Sequence, residues 1–311
     1  MTGDTEPQLL GGTTVEAPRP DLADTTIENS DGAGFDRAGV ETLEPDEMVP
    51  GEPSEVRRPI FIVGCHRSGT SMLRQLLDSH PRISCGPEDI SLYYLSQLDN
   101  DLWRMTLQGY GFTEAEWNSK TRELFEGLHW RYANSQRKNR WAVKCPEHCL
   151  IIGYLDKLYP DCQVVHIVRH PRDVIASNYR KYGPRKGAFY GGRWVNLVRS
   201  AESSGAQLGP QRFRTIKYEN LVADPERELK DLVSWLGEPW SPEILRYGER
   251  THTYPPRLKP KQNQGKIVVH TRSIGKGRSR DFVQPLLYVR LHANDLLKRF
   301  GYKVSLFDDR K

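Results

Sequence analysis

The feature that most limits what this chain can fold into is the run from Arg58 to Ser71. Arg58 to Gly64 (RPIFIVG) is short, almost continuously apolar and closed by a glycine, the pattern of a strand buried on both faces of a parallel sheet. Gly64 and Gly69 are separated by four residues and followed by Thr70-Ser71, after which Met72, Leu73, Leu76 and Leu77 recur at helical spacing until Pro81 ends the run. Strand, glycine-bounded loop and helix in that order make an anion cradle. The first amides of such a helix lack backbone partners, and the positive end of its dipole faces the loop. Taken alone, the same spacing also describes an ordinary tight turn between strand and helix.

Further strands are predicted at Ile83 to Cys85, Trp141 to Lys144, Gln163 to Val168 and Phe213 to Lys217. Helical patterns lie between them at Ile90 to Leu107, Thr113 to Arg137, His148 to Leu158, Pro171 to Tyr182 and Pro225 to Leu236. The last carries full punctuation: Asp224 as cap, Pro225 in the first turn, acids after it and Gly237 beyond the end. This alternation predicts an α/β fold, a P-loop-type three-layer sandwich whose central parallel sheet of about five strands has helices on both faces. Ligands of such sheets bind at the carboxyl ends of the strands. Two stretches rich in glycine and base, Gly183 to Arg193 and Thr271 to Arg280, read as long surface loops of the lid or binding kind.

Residues 1–55 are rich in Asp, Glu, Thr, Pro and Gly and nearly devoid of periodic apolar positions, so they are expected to form a disordered acidic tail ahead of a single domain, 56–311. The formal charge of the whole chain is +5. Because the tail is acidic, the body is more basic than that total, which points to an anionic ligand. The basic residues are scattered over different elements rather than run together with aromatics, so a phosphorylated small molecule is expected and nucleic acid is not. The five cysteines, Cys65, Cys85, Cys145, Cys149 and Cys162, are odd in number and form no CxxC pair, which argues against a disulfide framework or a structural metal. No stretch has the length of a membrane span and the first residues are unlike a signal peptide. A soluble cytoplasmic protein is the expectation, and a homodimer is compatible with it.

The cradle departs from the nucleotide triphosphatase signature at one residue. Thr70 stands where G-x-x-x-x-G-K-[ST] has Lys, and the nearest cation is Arg67 inside the loop. An Asp that would help hold Mg²⁺ is also missing, since the apolar strand Gln163 to Val168 ends in Arg169. A cation there repels a metal and attracts a phosphate. The loop therefore reads as a site for an anion bound without magnesium, with a second phosphate near Arg169, and 3′-phosphoadenosine-5′-phosphosulfate (PAPS) is such a ligand.

At this point the chain resembles the PAPS-dependent sulfotransferases, and within them the tyrosylprotein sulfotransferase branch and its bacterial relatives. The matching residues are Arg67-Ser68-Gly69-Thr70-Ser71, Leu77-Asp78-Ser79-His80-Pro81, Cys85-Gly86-Pro87-Glu88, Lys144-Cys145-Pro146, Val168-Arg169-His170-Pro171-Arg172-Asp173 with Ser177, and Ile216-Lys217-Tyr218-Glu219-Asn220-Leu221. The resemblance implies that the first loop grips the 5′-phosphosulfate, that Arg169 and Ser177 bind the 3′-phosphate, and that Tyr218 lies near the adenine. It also implies donor contacts from the late basic loop, at Ser273, Lys276 and Arg278, with PAP as the released product.

Sulfuryl transfer requires one base for the acceptor hydroxyl and well-aimed cations for the leaving phosphate. Glu88 stands at the same offset from Arg67 as the catalytic Glu of the tyrosylprotein branch and is expected to be the base, in a partly buried position. Asp89 beside it is the alternative. Lys144, at a strand end like Arg67, is expected to neutralise charge alongside that arginine. Pro146 occupies the position of the cytosolic branch's catalytic His. Ile90 replaces an Arg that follows the catalytic Glu in tyrosylprotein enzymes, which turns the expected acceptor away from acidic peptides toward a hydroxylated small molecule, glycan or lipid. Some of the aromatics between Leu92 and Trp130 are then expected to line the acceptor groove. Rival readings are protein-tyrosine sulfation, a small-molecule kinase on the same loop, and a nucleotide-binding protein without catalysis.

Overall fold

The computed structural model of the protein describes residues 58–249, 271, 274, 275 and 282–304. All of them fall within one compact unit, Val49–Lys311. The expected tail, 1–55, lies outside the described residues.

Five strands, β1 (Ile60–Val63), β2 (Ile83–Cys85), β3 (Arg140–Lys144), β4 (Gln163–Val168) and β5 (Phe213–Lys217), form one sheet in the order β2-β3-β1-β4-β5. Every pairing is parallel, with Ile62 level with both Lys144 and Val165. Successive residues of a strand point to opposite faces, and here each face meets its own core. Phe61 and Val63 pack with Trp141, Val143 and Val164, while Ile60 and Ile62 pack with Ile83, Ala142, Val165 and Ile167. A strand with both faces covered must be apolar throughout, which is why RPIFIVG shows no alternation. Burying each of its Ile and Phe side chains contributes about 1.5–3 kcal/mol.

The first core is covered by α4 (Glu114–Ser135), α5 (Ile152–Leu158), α6 (Pro171–Tyr182), α7 (Pro184–Leu208), α10 (Val283–His292) and α11 (Asn294–Phe300), the second by α1 (Thr70–Asp78), α8 (Tyr218–Ala223) and α9 (Pro225–Leu236). This is the expected three-layer α/β sandwich. The punctuation of α9 is as read: Asp224 accepts from the Arg227 amide and Gly237 closes the helix in the left-handed region. No helix among the described residues is long and apolar enough to cross a membrane.

Three local expectations need correction. The helix expected from Ile90 to Leu107 is two helices, α2 (Ser91–Ser96) and α3 (Asp101–Gly109), because the Asn100 side chain accepts from the Trp103 amide and starts a new helix. His148 to Leu158 splits likewise into a 3-10 turn, Pro146–Leu150, and α5. Gly183 to Arg193 is not a surface loop: apart from Gly183 it forms the opening turns of the long helix α7, with Pro184 in the first turn. A Cβ at Gly191 would lie 2.8 Å from the Pro285 carbonyl oxygen, so this position lets α7 and α10 approach closely.

Candidate active site

The chain reverses direction across the sheet at β1: β3 and β2 lie on one side, β4 and β5 on the other. Such a switch point opens a crevice at the strand ends. The loop after β1, Lys144 at the end of β3 and Arg169 after β4 all reach it.

The loop is shaped by three residues with positive φ, Gly64 (153°), Arg67 (68°) and Gly69 (102°). A Cβ on Gly64 would collide with the carbonyl oxygen of Ile167, and one on Gly69 would stand 2.5 Å from the Tyr218 ring. Arg67 holds the left-handed region without a glycine's freedom, a conformation that costs about 1–2 kcal/mol. Within the loop the Ser68 amide donates to the Cys65 carbonyl at 3.0 Å, and Leu73 returns a helical bond to Gly69. Ser68 and Thr70 are buried, Arg67 and Ser71 exposed. The Ser68 hydroxyl is buried without a hydrogen-bond partner among the described residues.

The expected donor residues converge on this loop. Arg67 Nε donates to Ser177 Oγ of α6 at 3.1 Å. Arg169 Nη1 donates to the Arg67 carbonyl at 3.0 Å, and its guanidinium lies 4.3 Å over the Tyr218 ring. Tyr218, first residue of α8, thus touches both Gly69 and Arg169. Gly275 donates its amide to Asp173 Oδ2 at 2.8 Å, which brings one residue of the late basic stretch back to α6, one helical turn from Ser177. Ser273, Lys276 and Arg278 lie outside the described residues.

Across the crevice, Glu88 follows the edge strand β2 and its carboxylate is ion-paired with Lys144 Nζ. Lys144 is buried, and the Glu88 side chain is 40% exposed. The segment before it is held firmly. Arg74 of α1, itself buried, donates from Nη1 to the carbonyls of Cys85 (2.7 Å) and Gly86 (2.8 Å). One turn later Asp78 accepts from the Cys85 amide at 2.9 Å. Asp89 is engaged elsewhere, accepting from the Ser91 amide at 2.8 Å and facing His129 Nε2 at 3.4 Å. Burial pushes its carboxyl up, but the interactions with His129 and Ser91 outweigh that and hold it low, at about 2.

Glu147 was not singled out from the sequence, nor was Arg193. Glu147 Oε1 accepts from Arg193 Nη2 of α7 at 2.6 Å and lies 3.3 Å from His66 Nε2, while Cys145 Sγ is 3.5 Å from Oε2. Burial lowers the His66 pKa, with Glu147 opposing that shift. Burial also pushes the Cys145 thiol well up. Glu88, Cys145 and Glu147 each place one potential ligand atom within 4.8 Å of the others, but both carboxylates are already paired with cations, Lys144 and Arg193. An acid directly after Lys144-Cys145-Pro146 was the only sequence signal for Glu147. Arg193 had none, lying in a stretch that read as loop. Of the aromatics between Leu92 and Trp130, Phe125 belongs to the core and Trp103 packs edge-on against Trp117 at 5.3 Å.

Residues 59–242 match the sulfotransferase family, and the chain belongs to that family. Over 201 residues it is 25% identical to a protein-tyrosine sulfotransferase of Drosophila melanogaster, an alignment covering 61% of this chain and 40% of that protein. Over 184 residues it is 27% identical to the omega-hydroxy-beta-dihydromenaquinone-9 sulfotransferase Stf3 of Mycobacterium tuberculosis, covering 54% and 42%. The chain thus spans less than half the length of these two curated relatives. Among solved structures, the sulfotransferase domain of the Synechococcus PCC 7002 olefin synthase superposes with a TM-score of 0.54 at 22% identity, over 82% of this chain and 99% of that one, and shares its fold.

Proposed function

We propose that the protein transfers a sulfuryl group from PAPS to the hydroxyl of a small-molecule, glycan or lipid acceptor, releasing PAP, with Glu88 as general base. The observation that carries the reading is the meeting of Arg67, Ser177 and Arg169, from three separate elements, at a loop whose Ser68 hydroxyl is buried without a partner among the described residues. A buried donor without a partner costs about 1–3 kcal/mol, and an anion in the loop would satisfy it. The glycines fix the shape of the cradle, since a side chain at Gly64 would strike the Ile167 carbonyl and one at Gly69 the Tyr218 ring.

PAPS, when bound, supplies the sulfuryl group and a phosphate leaving group. Arg67, Ser68 and the amides of Thr70 and Ser71 would hold the phosphosulfate end, and Arg169 and Ser177 the 3′-phosphate, with Tyr218 beside the nucleoside. Glu88 takes the acceptor's hydroxyl proton on a carboxylate oxygen while the acceptor oxygen bonds to sulfur. The bond from sulfur to the bridging oxygen breaks, and its electron pair remains on the phosphate, where Lys144 and Arg67 balance the charge. Lys144 also orients the Glu88 carboxylate. That Asp89 is committed to Ser91 and His129 supports Glu88 over its neighbour for this role. Thr70 in the place of a P-loop lysine, with Arg169 at the end of β4, supports a metal-free anion over a magnesium nucleotide.

The decisive experiment is thermal unfolding with ligands. PAP at about a hundred times its Kd is expected to stabilise the fold by about 2.7 kcal/mol, while Mg·ATP at the same concentration leaves the midpoint unmoved. No shift with PAP rejects the reading. Glu88→Gln is expected to lose about 10²–10⁴-fold in kcat and keep the PAP shift.

A further inference from the structure

The family match ends at residue 242, and residues 300–303, at the end of α11 and just beyond it, lie well past that limit. They nevertheless reach the donor end of the crevice, where three ties hold them. Lys217 Nζ, at the end of β5, donates to the Phe300 carbonyl at 2.7 Å and stands 5.0 Å over the Tyr302 ring. His170 Nδ1 accepts from the Arg172 amide at 3.2 Å, which assigns the proton to Nε2, and Nε2 donates to the Lys303 carbonyl at 3.2 Å. The buried Tyr302 donates its hydroxyl to Glu219 Oε2 at 2.9 Å, and its ring lies 5.0 Å from that of His170. Burial and the Glu219 charge push the pKa of this phenol up, which keeps it a donor at neutral pH.

Each tied residue is next in sequence to one of the residues proposed to hold the donor. His170 follows Arg169, and Lys217 and Glu219 flank Tyr218. Glu219 joins the two places. Its second carboxylate oxygen, Oε1, accepts from the His170 amide at 2.9 Å. The carbonyl of that same peptide group, belonging to Arg169, accepts from the indole Nε1 of the fully buried Trp194 at 3.0 Å. The peptide plane after Arg169 is thus gripped at both edges, which fixes the backbone from which the guanidinium departs to lie 4.3 Å over the Tyr218 ring. Hydrogen bonds to a carboxylate are about twice as strong as neutral ones, and a network whose members orient one another loses more than one bond when one member is removed.

We infer that Glu219 and Tyr302 are positioning residues for the 3′-phosphate end of the donor: Tyr302 orients the Glu219 carboxylate, and Glu219 holds the Arg169-His170 peptide so that Arg169 and Tyr218 keep their stacked arrangement. The inference rests on the proposed assignment of Arg169 to the 3′-phosphate. Neither positioning residue needs to touch the donor. A segment beyond the family match thereby takes part in the preference for a nucleotide that carries a 3′-phosphate.

Titration calorimetry on the full chain tests this with two probes, PAP and adenosine 5′-phosphate, which lacks the 3′-phosphate. Tyr302→Phe keeps the ring and removes only the hydroxyl. It is expected to weaken PAP binding about tenfold and adenosine 5′-phosphate binding by less than about twofold. Glu219→Gln still offers an oxygen to the His170 amide and should keep PAP affinity within about threefold of wild type, whereas Glu219→Ala should lose about a hundredfold. Adding Tyr302→Phe to Glu219→Ala should then cost nothing further, because the hydroxyl acts through the carboxylate. Unchanged PAP affinity in Tyr302→Phe overturns the inference. Equal losses for the two probes also overturn it, since they mark a general loosening of the fold, and so do losses that multiply in the double variant. If Glu219→Ala does not fold, the two-probe comparison in Tyr302→Phe decides alone. Failure of the wild type to bind PAP is a different result, the failure of the sulfotransfer reading itself.

Discussion

At the carboxyl end of β1, Gly64, Arg67 and Gly69 carry positive φ, and what the loop offers a ligand is largely backbone amides and one partnerless hydroxyl. Across the crevice, what is offered is side chains: Glu88 with Lys144 and Glu147 with Arg193. The first end gathers Arg67 and Arg169 about one spot, the arrangement proposed to hold an anion. The second pairs each of its carboxylates with a cation. The difference teaches where tolerance lies. A backbone site has no substitute for its shape, whereas a side-chain site can be retuned residue by residue, so one donor can serve many acceptors on the same frame.

The sharpest way to break that contrast is to add one methyl group to the first end. In Gly64→Ala the new Cβ meets the Ile167 carbonyl at a φ that alanine disfavours, and a destabilisation of about 2–4 kcal/mol is expected. Urea unfolding should register it, and PAP should no longer raise the midpoint in proportion. If the variant binds PAP as the wild type does, the loop is not the rigid cradle described.

Next in size is Arg74. It joins the two ends, since α1 grows out of the donor loop while the Arg74 guanidinium holds the carbonyls of Cys85 and Gly86, two residues ahead of Glu88. It is a positioning residue. Arg74→Met should lower kcat about 10²-fold through displacement of the base, leave the PAP shift in place, and be partly restored in Arg74→Lys, which can still reach one carbonyl. Equal loss of PAP affinity and kcat would show instead that α1 itself has moved.

The two ends also differed in how far they could be read in advance. The donor end is local: apolar run, glycine spacing and helix start lie within one short stretch, and Arg169 closes an obvious strand, so its residues were found by pattern. Its long-range partners were less visible. That Tyr218 fills the space a Cβ at Gly69 would need depends on β5 and α8 arriving from the far side of the sheet. At the other end, Glu88 and Lys144 were reached through resemblance. Arg193 was missed because Gly183 to Arg193 carries glycines that look like those of a loop, although Gly191 serves helix packing, and Glu147 had no signal beyond being an acid after Lys144-Cys145-Pro146. Tertiary contact overrode local composition there, as it commonly does for propensity.

The smallest expected effect concerns Asp89 and separates its role from that of Glu88. The interactions with His129 and Ser91 hold its carboxyl at about 2, below the ordinary 3.8, against the opposing pull of burial. A carboxyl whose pKa is depressed by folding adds stability that is present above the unfolded value and disappears as pH falls through the folded one. The window is therefore about pH 4 down to pH 2, and after allowance for solvent screening of this half-buried group the contribution is about 1 kcal/mol. Asp89→Asn cannot titrate, so its unfolding free energy should sit below that of the wild type by this amount at pH 6 and converge with it as pH approaches 2. Its PAP shift and kcat at neutral pH should stay within about twofold of wild type, since an effect this small in stability leaves Glu88 in place. Parallel stability curves across the window would remove Asp89 from its structural role. A kcat loss matching that of Glu88→Gln would give it a share in the chemistry and end the distinction between the two neighbouring acids.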